Sequence, residues 1–360
     1  MKIIRSYIFK QLMLPFLLAV LTLTFIFLAG YLVRAAHFII GRGVPLSDTL
    51  YVILLAFPRM LSFTVPISLL TASMIVFGNL SANNEIRAFK ASGVHPLQIM
   101  IPAFVVALVM SFAMFVFNDQ VANEAAFKLR KVTKQMIVKH PSALIEPGRF
   151  IALNEKIIFL AKEVNGNKMK DIVAYEVNED EDPIRTIIAE RGEMKMLDDG
   201  ISMQIILYRG SVSDSESKGV QAIQFQSYEF PSFGYEDVRK MKRKTRDYSL
   251  ANLLIMFRNQ EIPDDELNRF WTAFHDRIAF AFGSFIFVFL GVPIAILVRR
   301  GEVIVSFVIS MMAASIYYIL FVGAQSLSIR GVLPAGLALW LPNIILFGVG
   351  SILVQKSVKS

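Results

Sequence analysis

The sequence predicts an α-helical membrane protein with six transmembrane helices, three on each side of an inserted all-β, jelly-roll-like domain. Three observations carry that prediction. Six apolar runs are each long enough to cross a ~30 Å hydrocarbon core, which takes about 20 helical residues. Between the third and fourth runs lies a segment of ordinary soluble composition, about 150 residues long and so domain-sized. Within that segment the hydrophobic period changes from helix-like to strand-like. The composition agrees: 55% of the 360 residues are hydrophobic, and the mean hydropathy is +0.54. An apolar fraction gathered into such runs is the signature of an integral membrane protein.

The chain opens with "MKIIRSYIFKQ", which has the positive flank of a signal peptide. The apolar run behind it is too long for a cleaved signal, and no small-residue cleavage site closes it. It therefore reads as an amphipathic lead-in to a first span near 12–36. The second and third spans fall near 50–79 and 98–118. Residues 1–120 form an N-terminal membrane half.

Between the second and third spans stands "NNEIRAFKASGVHP", Asn83 to Pro96. Asn84 suits a helix cap, Glu85 suits a first turn, and Gly93 with Pro96 suits a stop. A short helix is predicted over 84–93. Ile86, Phe89 and Gly93 share one face of it, with Lys90 among them. Two readings fit this spacing. One is an interfacial helix lying on lipid headgroups. The other is a docking helix for a cytosolic partner, with Glu85 facing a basic pocket.

Residues 121–265 form the outer β domain with flanking helices. "QVANEAAFKLRKVTKQMIVKHP" continues the third span outward as a helix. Then "IIFLAKEV", "DIVAYEV", "TIIAE", "ISMQIILY" and "VQAIQFQSYEF" read as strands, separated by the turn clusters "NGNK", "NEDEDP", "DDG" and "DSESKG". Ile201, Met203, Ile205 and Leu207 alternate along one of them. Many short strands with such turns suggest a sandwich or jelly roll. After the basic linker "EDVRKMKRKTRDY", Ser249 is placed to cap the short helix "LANLLIMFRN", and Pro263 opens a helix running into the fourth span. Residues 266–360 form the C-terminal membrane half, with spans near 270–298, 303–325 and 333–354.

Lys and Arg in the short loops set the orientation. One side carries Lys2, Arg5, Lys10, Arg87, Lys90, Arg299, Arg300, Lys356 and Lys359. The other carries Arg34, Arg42 and Arg330. The first side is predicted cytoplasmic, with both termini and the 84–93 helix on it, and the β domain lies outside. Net charge is +8; in a membrane protein it bears first on topology.

Several chemistries are missing from the sequence. There is no cysteine, which removes disulfides and thiolate chemistry. The four histidines, His37, His95, His140 and His275, are scattered. No GxSxG elbow and no GxxxxGK[ST] phosphate loop occurs. No acidic residue is predicted deep in a span, which argues against an ion-coupled carrier. Energy for any work would come from another polypeptide, through the short cytoplasmic loops.

Three arginines stand out at the other side. Arg34 falls ~33 Å along the first helix from Leu12 at 1.5 Å per residue, at the outer headgroup level. Arg42 follows in the outer loop. Arg59 lies inside the second apolar run beside Pro58, with Pro66 further on. Ordinary snorkelling accounts for Arg34 and Arg42 equally well. Arg59, in a segment read as Pro-broken, is expected to line a cavity or meet a partner. Together the three are candidates for holding phosphates of an anionic lipid.

The whole chain resembles the lipopolysaccharide export permease family LptF/LptG (YjgP/YjgQ). The resemblance rests on "NNEIRAFKASGVHPLQI", "HPSALIEPGRFIAL", "IIAERGEMKMLDDGISMQIILYRG", "FHDRIAFAFGSFIFVFLGVPIAI" and "GVLPAGLALWLPNIIL", in that order. "KIIRSYIFKQL", "LVRAAHFIIGRGVP" and "KHPSALIEPGRF" look nearer to the LptF branch. The resemblance implies a half-transporter of the bacterial inner membrane, paired with a sister permease as a heterodimer. Two copies of the cytosolic ATPase LptB would drive it with ATP and Mg, and this chain would bind no cofactor and have no catalytic residue. The 84–93 segment would be the coupling helix, Glu85 meeting basic residues of the ATPase and Ile86 and Phe89 filling its groove. The substrate implied is lipopolysaccharide, taken from the outer leaflet and passed through a periplasmic jelly roll to the bridge proteins LptC and LptA. The first and fifth spans would gate its lateral entry. At ~0.8 kcal/mol per buried CH2, one bare acyl chain of about fourteen carbons in water costs on the order of 10 kcal/mol, so a dry slot is required. Two other readings remain open: an ATPase-coupled exporter of another lipid or lipoprotein, and a membrane-anchored binding or assembly protein.

Overall fold

The computed structural model describes residues 2–42, 45–139, 147–152, 157–178, 183–196, 202–214, 222–230, 233–234, 243–260, 262–263, 266–298 and 302–359. Side chains are described except at 2, 34–42, 134–139, 152, 196, 202–203 and 233–234. The chain divides into two compact units: Met1–Gly30 with Leu55–Phe127 and Arg243–Ser360, and Tyr31–Leu54 with Lys128–Lys242.

All six apolar runs are helices. In chain order the helices are α1 (Lys2–Arg42), α2 (Leu46–Ala82), α3 (Glu85–Ala91), α4 (Pro96–Phe117), α5 (Asn123–Lys139), α6 (Leu250–Arg258), α7 (Leu267–Val298), α8 (Val303–Ile329) and α9 (Ala335–Lys359). Most extend beyond the apolar runs that predict them, because polar flanks continue the same backbone. Pro58 and Pro66 both lie inside α2, so the expected break at Arg59 is absent and the helix runs through. One π turn, Asn118–Ala122, joins α4 to α5. A π turn adds a residue to the helical circuit and is a local distortion that often marks a functional position.

In the first unit α2 and α7 are the most buried helices, and α1 and α8 the least. Glycines on α7 and α9 let helices approach closely. A Cβ at Gly283 would sit 2.7 Å from the Tyr317 hydroxyl, and one at Gly350 would sit 2.7 Å from Phe289. Such small-residue contacts replace the hydrophobic drive that lipid removes. Side-chain hydrogen bonds add to them. Ser62 donates to Asn118 Oδ1 at 2.6 Å, Ser81 to the Ile296 carbonyl at 2.9 Å, and Asn343 Nδ2 to the Ala279 carbonyl at 2.9 Å. Thr272 and Ser328 share a bond of 2.6 Å.

The described residues of the second unit form seven antiparallel strands: β1 (Ile151–Ala152), β2 (Ile157–Asn165), β3 (Lys168–Val177), β4 (Pro183–Met196), β5 (Ser202–Asp214), β6 (Ala222–Glu229) and β7 (Phe233–Gly234). The five expected strands are present over their described residues, with Ile201, Val220 and Gln221 lying outside these. Their order is the sequential meander β1 to β6, with β7 also paired to β5. Among the described strands no Greek-key crossover of a jelly roll appears.

The meander nevertheless has an inside. Four ladders share an interruption on the row Lys162, Asp171, Glu190, Arg209, Gln226, and the β3–β4 ladder has a further register shift at Glu176/Val177. Asp171 and Arg209 have positive φ, 49° and 52°. At this row each strand sends two consecutive side chains outward: Lys162 and Glu163, Lys170 and Asp171, Glu190 and Arg191, Tyr208 and Arg209, Gln226 and Ser227. A strand alternates faces residue by residue, so two outward neighbours reverse its phase. One face stays buried on both sides of the row only if the sheet folds along it. The two leaves then enclose Phe159, Ala161, Met169, Ile172, Ile187, Met194, Ile205 and Leu207. Two layers thus come from one creased sheet rather than two separate sheets.

Candidate functional site

The predicted helix 84–93 exists as α3, and Gly93 ends it in the expected way. Gly93 has φ 79°, its amide donates to the Lys90 carbonyl, and the Val94 amide reaches back to the Phe89 carbonyl at 3.0 Å. This pair of bonds is the Schellman ending, which needs a left-handed residue at that position. The start differs from expectation. Asn84 is itself left-handed, φ 58°, and its side chain makes no capping bond to the helix amides. Its Oδ1 accepts instead from Arg87 Nη1 at 3.1 Å.

Three contacts fasten α3 to the membrane unit. Ile86, 5% exposed, lies in the same apolar core as Ile8, Leu12, Leu80, Ile99 and Met100, and half-buried Phe89 packs against that core. Tyr7 on α1 donates to Glu85 Oε2 at 2.9 Å. Lys90 Nζ reaches the carbonyls of Ser357 and Val358 at 3.4 and 3.3 Å, at the C-terminal end of α9. A cation there meets the negative pole of the helix dipole.

This corrects the expectation for Ile86, which does not point outward to fill a partner's groove. Burying it anchors α3, because an apolar side chain beside an apolar bundle gains more from that core than from water. The outward surface is made by Arg87, Ala88, Ala91 and Ser92, with Glu85 half-buried at the edge. Beside Glu85, a groove of about 380 Å³ runs between α1 and α2, lined by Lys10, Gln11, Asn79, Asn83 and Glu85 among others.

At the opposite end of the bundle, Arg59 on α2 is exposed, with its guanidinium 5.5 Å from the Phe63 ring centre. It lies within electrostatic reach of Asp276 on α7. Arg34 and Arg42 belong to the α1 backbone, but their side chains lie outside the described residues. Of the three candidate phosphate ligands, only Arg59 is placed.

Residues not singled out from the sequence gather near this end. Arg277, 5% exposed, lies 3.3 Å from Asp119 Oδ1 and donates through Nη2 to the Tyr248 carbonyl. Asp119 Oδ1 also accepts from the Leu250 amide at 2.7 Å. Asp276 accepts from Gln325 Nε2 at 3.3 Å. The signal was present as "HDR" at the edge of an apolar run, since ionisable residues there need partners.

A family model for the lipopolysaccharide export system permease LptF/LptG matches residues 6–356. The chain belongs to the LptF/LptG permease family. It is 20% identical over 355 residues to the lipopolysaccharide export system permease protein LptF of Escherichia coli K12, covering 98% of this chain and 94% of that one. It is also 21% identical over 197 residues to the uncharacterized protein RP871 of Rickettsia prowazekii, a match spanning 54% of each chain. The match to the family model takes in both membrane halves, α3 and the creased sheet.

Proposed function

We propose that this LptF/LptG permease is the half-transporter of an ATP-driven lipopolysaccharide exporter in the bacterial inner membrane. It pairs with a sister permease, and two copies of the ATPase LptB dock on the face that carries α3. The lipid leaves the outer leaflet, enters the periplasmic β domain and passes to LptC and LptA. The observation that carries this reading is the family match over nearly the whole chain. The geometry of α3 supports its mechanical part. A seven-residue helix is too short to stand alone in water, yet here it is tied to α1, α9 and the core. A push on its outer face therefore reaches the membrane helices directly.

Glu85 is the proposed acidic contact and Arg87 lies beside it on the open surface. Ile86 and Phe89 serve the same docking from behind, by holding α3 in place. Arg34, Arg42 and Arg59 are proposed to meet lipid phosphates at the outer headgroup level, guanidinium pairing with phosphate through parallel charge-assisted bonds. The apolar interior closed between the two leaves of the β unit is proposed to receive the acyl chains when the leaves part.

The test is Glu85→Lys in the co-expressed exporter. Opposite charges in the docking contact would become like charges. ATPase co-purification and export should both fall sharply, with Glu85→Ala milder. Normal export and normal co-purification in Glu85→Lys would sink the docking role. Mass spectrometry of the lipid retained by the unmodified complex then tests the cargo.

A further inference from the structure

The chain leaves the membrane unit twice, at residues 30–31 and 127–128, and returns at 54–55 and 242–243; the second excursion carries the β strands. Within the membrane unit the departing and returning segments of this second excursion are fastened to each other. On the departing side stands the π turn Asn118–Ala122, carrying Asp119, followed by Glu124 and Phe127 of α5. On the returning side stand Arg243, a 3-10 turn at Thr245–Asp247, and α6, capped by Ser249.

Two sets of contacts make the fastening. At the outer one, Arg243 Nη1 lies 2.9 Å from Glu124 Oε2, and the same guanidinium lies 4.6 Å from the Phe127 ring centre. At the inner one, Asp119 accepts from the first amide of α6, and Arg277 of α7 holds both segments at once. Its Nη1 faces Asp119, off the axis of a regular hydrogen bond, so that contact is mainly Coulombic. Its Nη2 donates to the Tyr248 carbonyl and approaches the Arg246 carbonyl at 3.4 Å.

We infer that Asp119 and Arg277 are positioning residues of a permanently closed joint, which makes the departing and returning segments move as one body with α4 and α7 during transport. The argument is burial. Both side chains are largely withdrawn from solvent, at 5% for Arg277 and 13% for Asp119. Separating them would strand two desolvated charges, a far worse state than separating an exposed pair. The outer Arg243–Glu124 pair is about one-third exposed and would open easily alone. The buried pair is what holds the joint shut. The π turn offers a reason for its placement, since the added residue changes the direction in which Asp119 projects from the helix.

This inference rests on the proposed export function, because a joint that must stay shut has meaning only where α4 and α7 move under load. The whole exporter is tested with a photo-crosslinker at Ile223 of the β unit. Arg277→Met should lower lipid crosslinking there by about tenfold, the size of a modest coupling free energy, with ATP hydrolysis changed by less than about twofold. Arg277→Lys should rescue partly, since an ammonium keeps the charge but not the fork that spans a carboxylate and a carbonyl. Normal crosslinking in Arg277→Met would overturn the inference. Should that variant fail to assemble, a second arm decides. The chain has no cysteine, so Glu124→Cys with Arg243→Cys can be bridged by a flexible bismaleimide without competition from other thiols of this chain. A closed joint predicts export unchanged by bridging, and arrest on bridging would overturn the joint. If the unmodified complex retains neither ATPase nor lipid, the proposed function fails instead.

Discussion

The Tyr7 hydroxyl donates a 2.9 Å hydrogen bond to Glu85 Oε2, joining the start of α1 to the first residue of α3. Glu85 therefore has a partner inside its own chain before any other protein arrives. A docking ATPase would share or displace that bond, so the position of α1 and the state of α3 are linked. Tyr7→Phe removes the bond without removing the ring. A net loss of at most about 1 kcal/mol is expected in thermal unfolding, as for a partly exposed hydrogen bond. The readout that matters is ATPase stimulation by lipid, which should fall while the complex still assembles. Unchanged stimulation would separate α1 from the coupling path.

Ile86 and Arg87 sit next to each other but face opposite ways, so their substitutions should separate. Ile86→Ala opens a cavity in the core and should destabilise the protein by about 2–5 kcal/mol. Arg87→Glu alters the open surface and one exposed hydrogen bond to Asn84, and should leave unfolding within about 0.5 kcal/mol of the parent while changing ATPase binding. The pair is read by unfolding and co-purification in parallel. Equal stability losses in both variants would contradict the inward placement of Ile86.

Orientation is testable because the chain lacks cysteine. Asn167 lies exposed in the β2–β3 turn and Lys356 lies exposed near the end of α9. In cells with a permeabilised outer membrane, Asn167→Cys should react with an impermeant maleimide. Lys356→Cys should react only after the inner membrane is opened. The reverse pattern would move the docking face to the wrong side of the membrane. Ser357, next along, is buried and would be a poor reporter.

The crease of the β sheet has a sensitive point at Gly210. A Cβ there would meet the Ile188 carbonyl oxygen and lie 2.5 Å from the Phe225 ring. A backbone oxygen cannot step aside as a flexible side chain can. Gly210→Val should cost more than about 3 kcal/mol through overpacking, seen as early proteolysis between β1 and β6. Proteolysis at the parental rate would mean that the leaves are not closed there.

Arg34→Ala combined with Arg59→Ala tests the phosphate reading. Lipid photo-crosslinking and export should drop, whereas assembly and basal ATP hydrolysis should hold. Lys at both positions should rescue in part, keeping charge without the paired geometry. Crosslinking at the parental level would leave Arg59 as an arginine resting on Phe63, and the apolar wall alone would hold the lipid.

The sequence by itself determined the six spans, the strands and the end of α3. Each of these is local: apolar length decides a span, alternation decides a strand, and a left-handed Gly93 decides a helix stop. The ordered motifs also carried the family. Only the tertiary structure decided which way α3 faces. A helical wheel shows that Ile86 and Phe89 share a side, but not whether a partner or the chain's own core covers it. The same holds for Arg277 and Asp119, whose meaning comes from each other across the fold. Burial turns such a pair from a surface detail into a fastening, and burial depends on neighbours brought from elsewhere in the chain. The crease required five strands in register before its row of outward residues became visible. In one strand two outward neighbours look like noise in the alternation; across the sheet they are the line along which it folds.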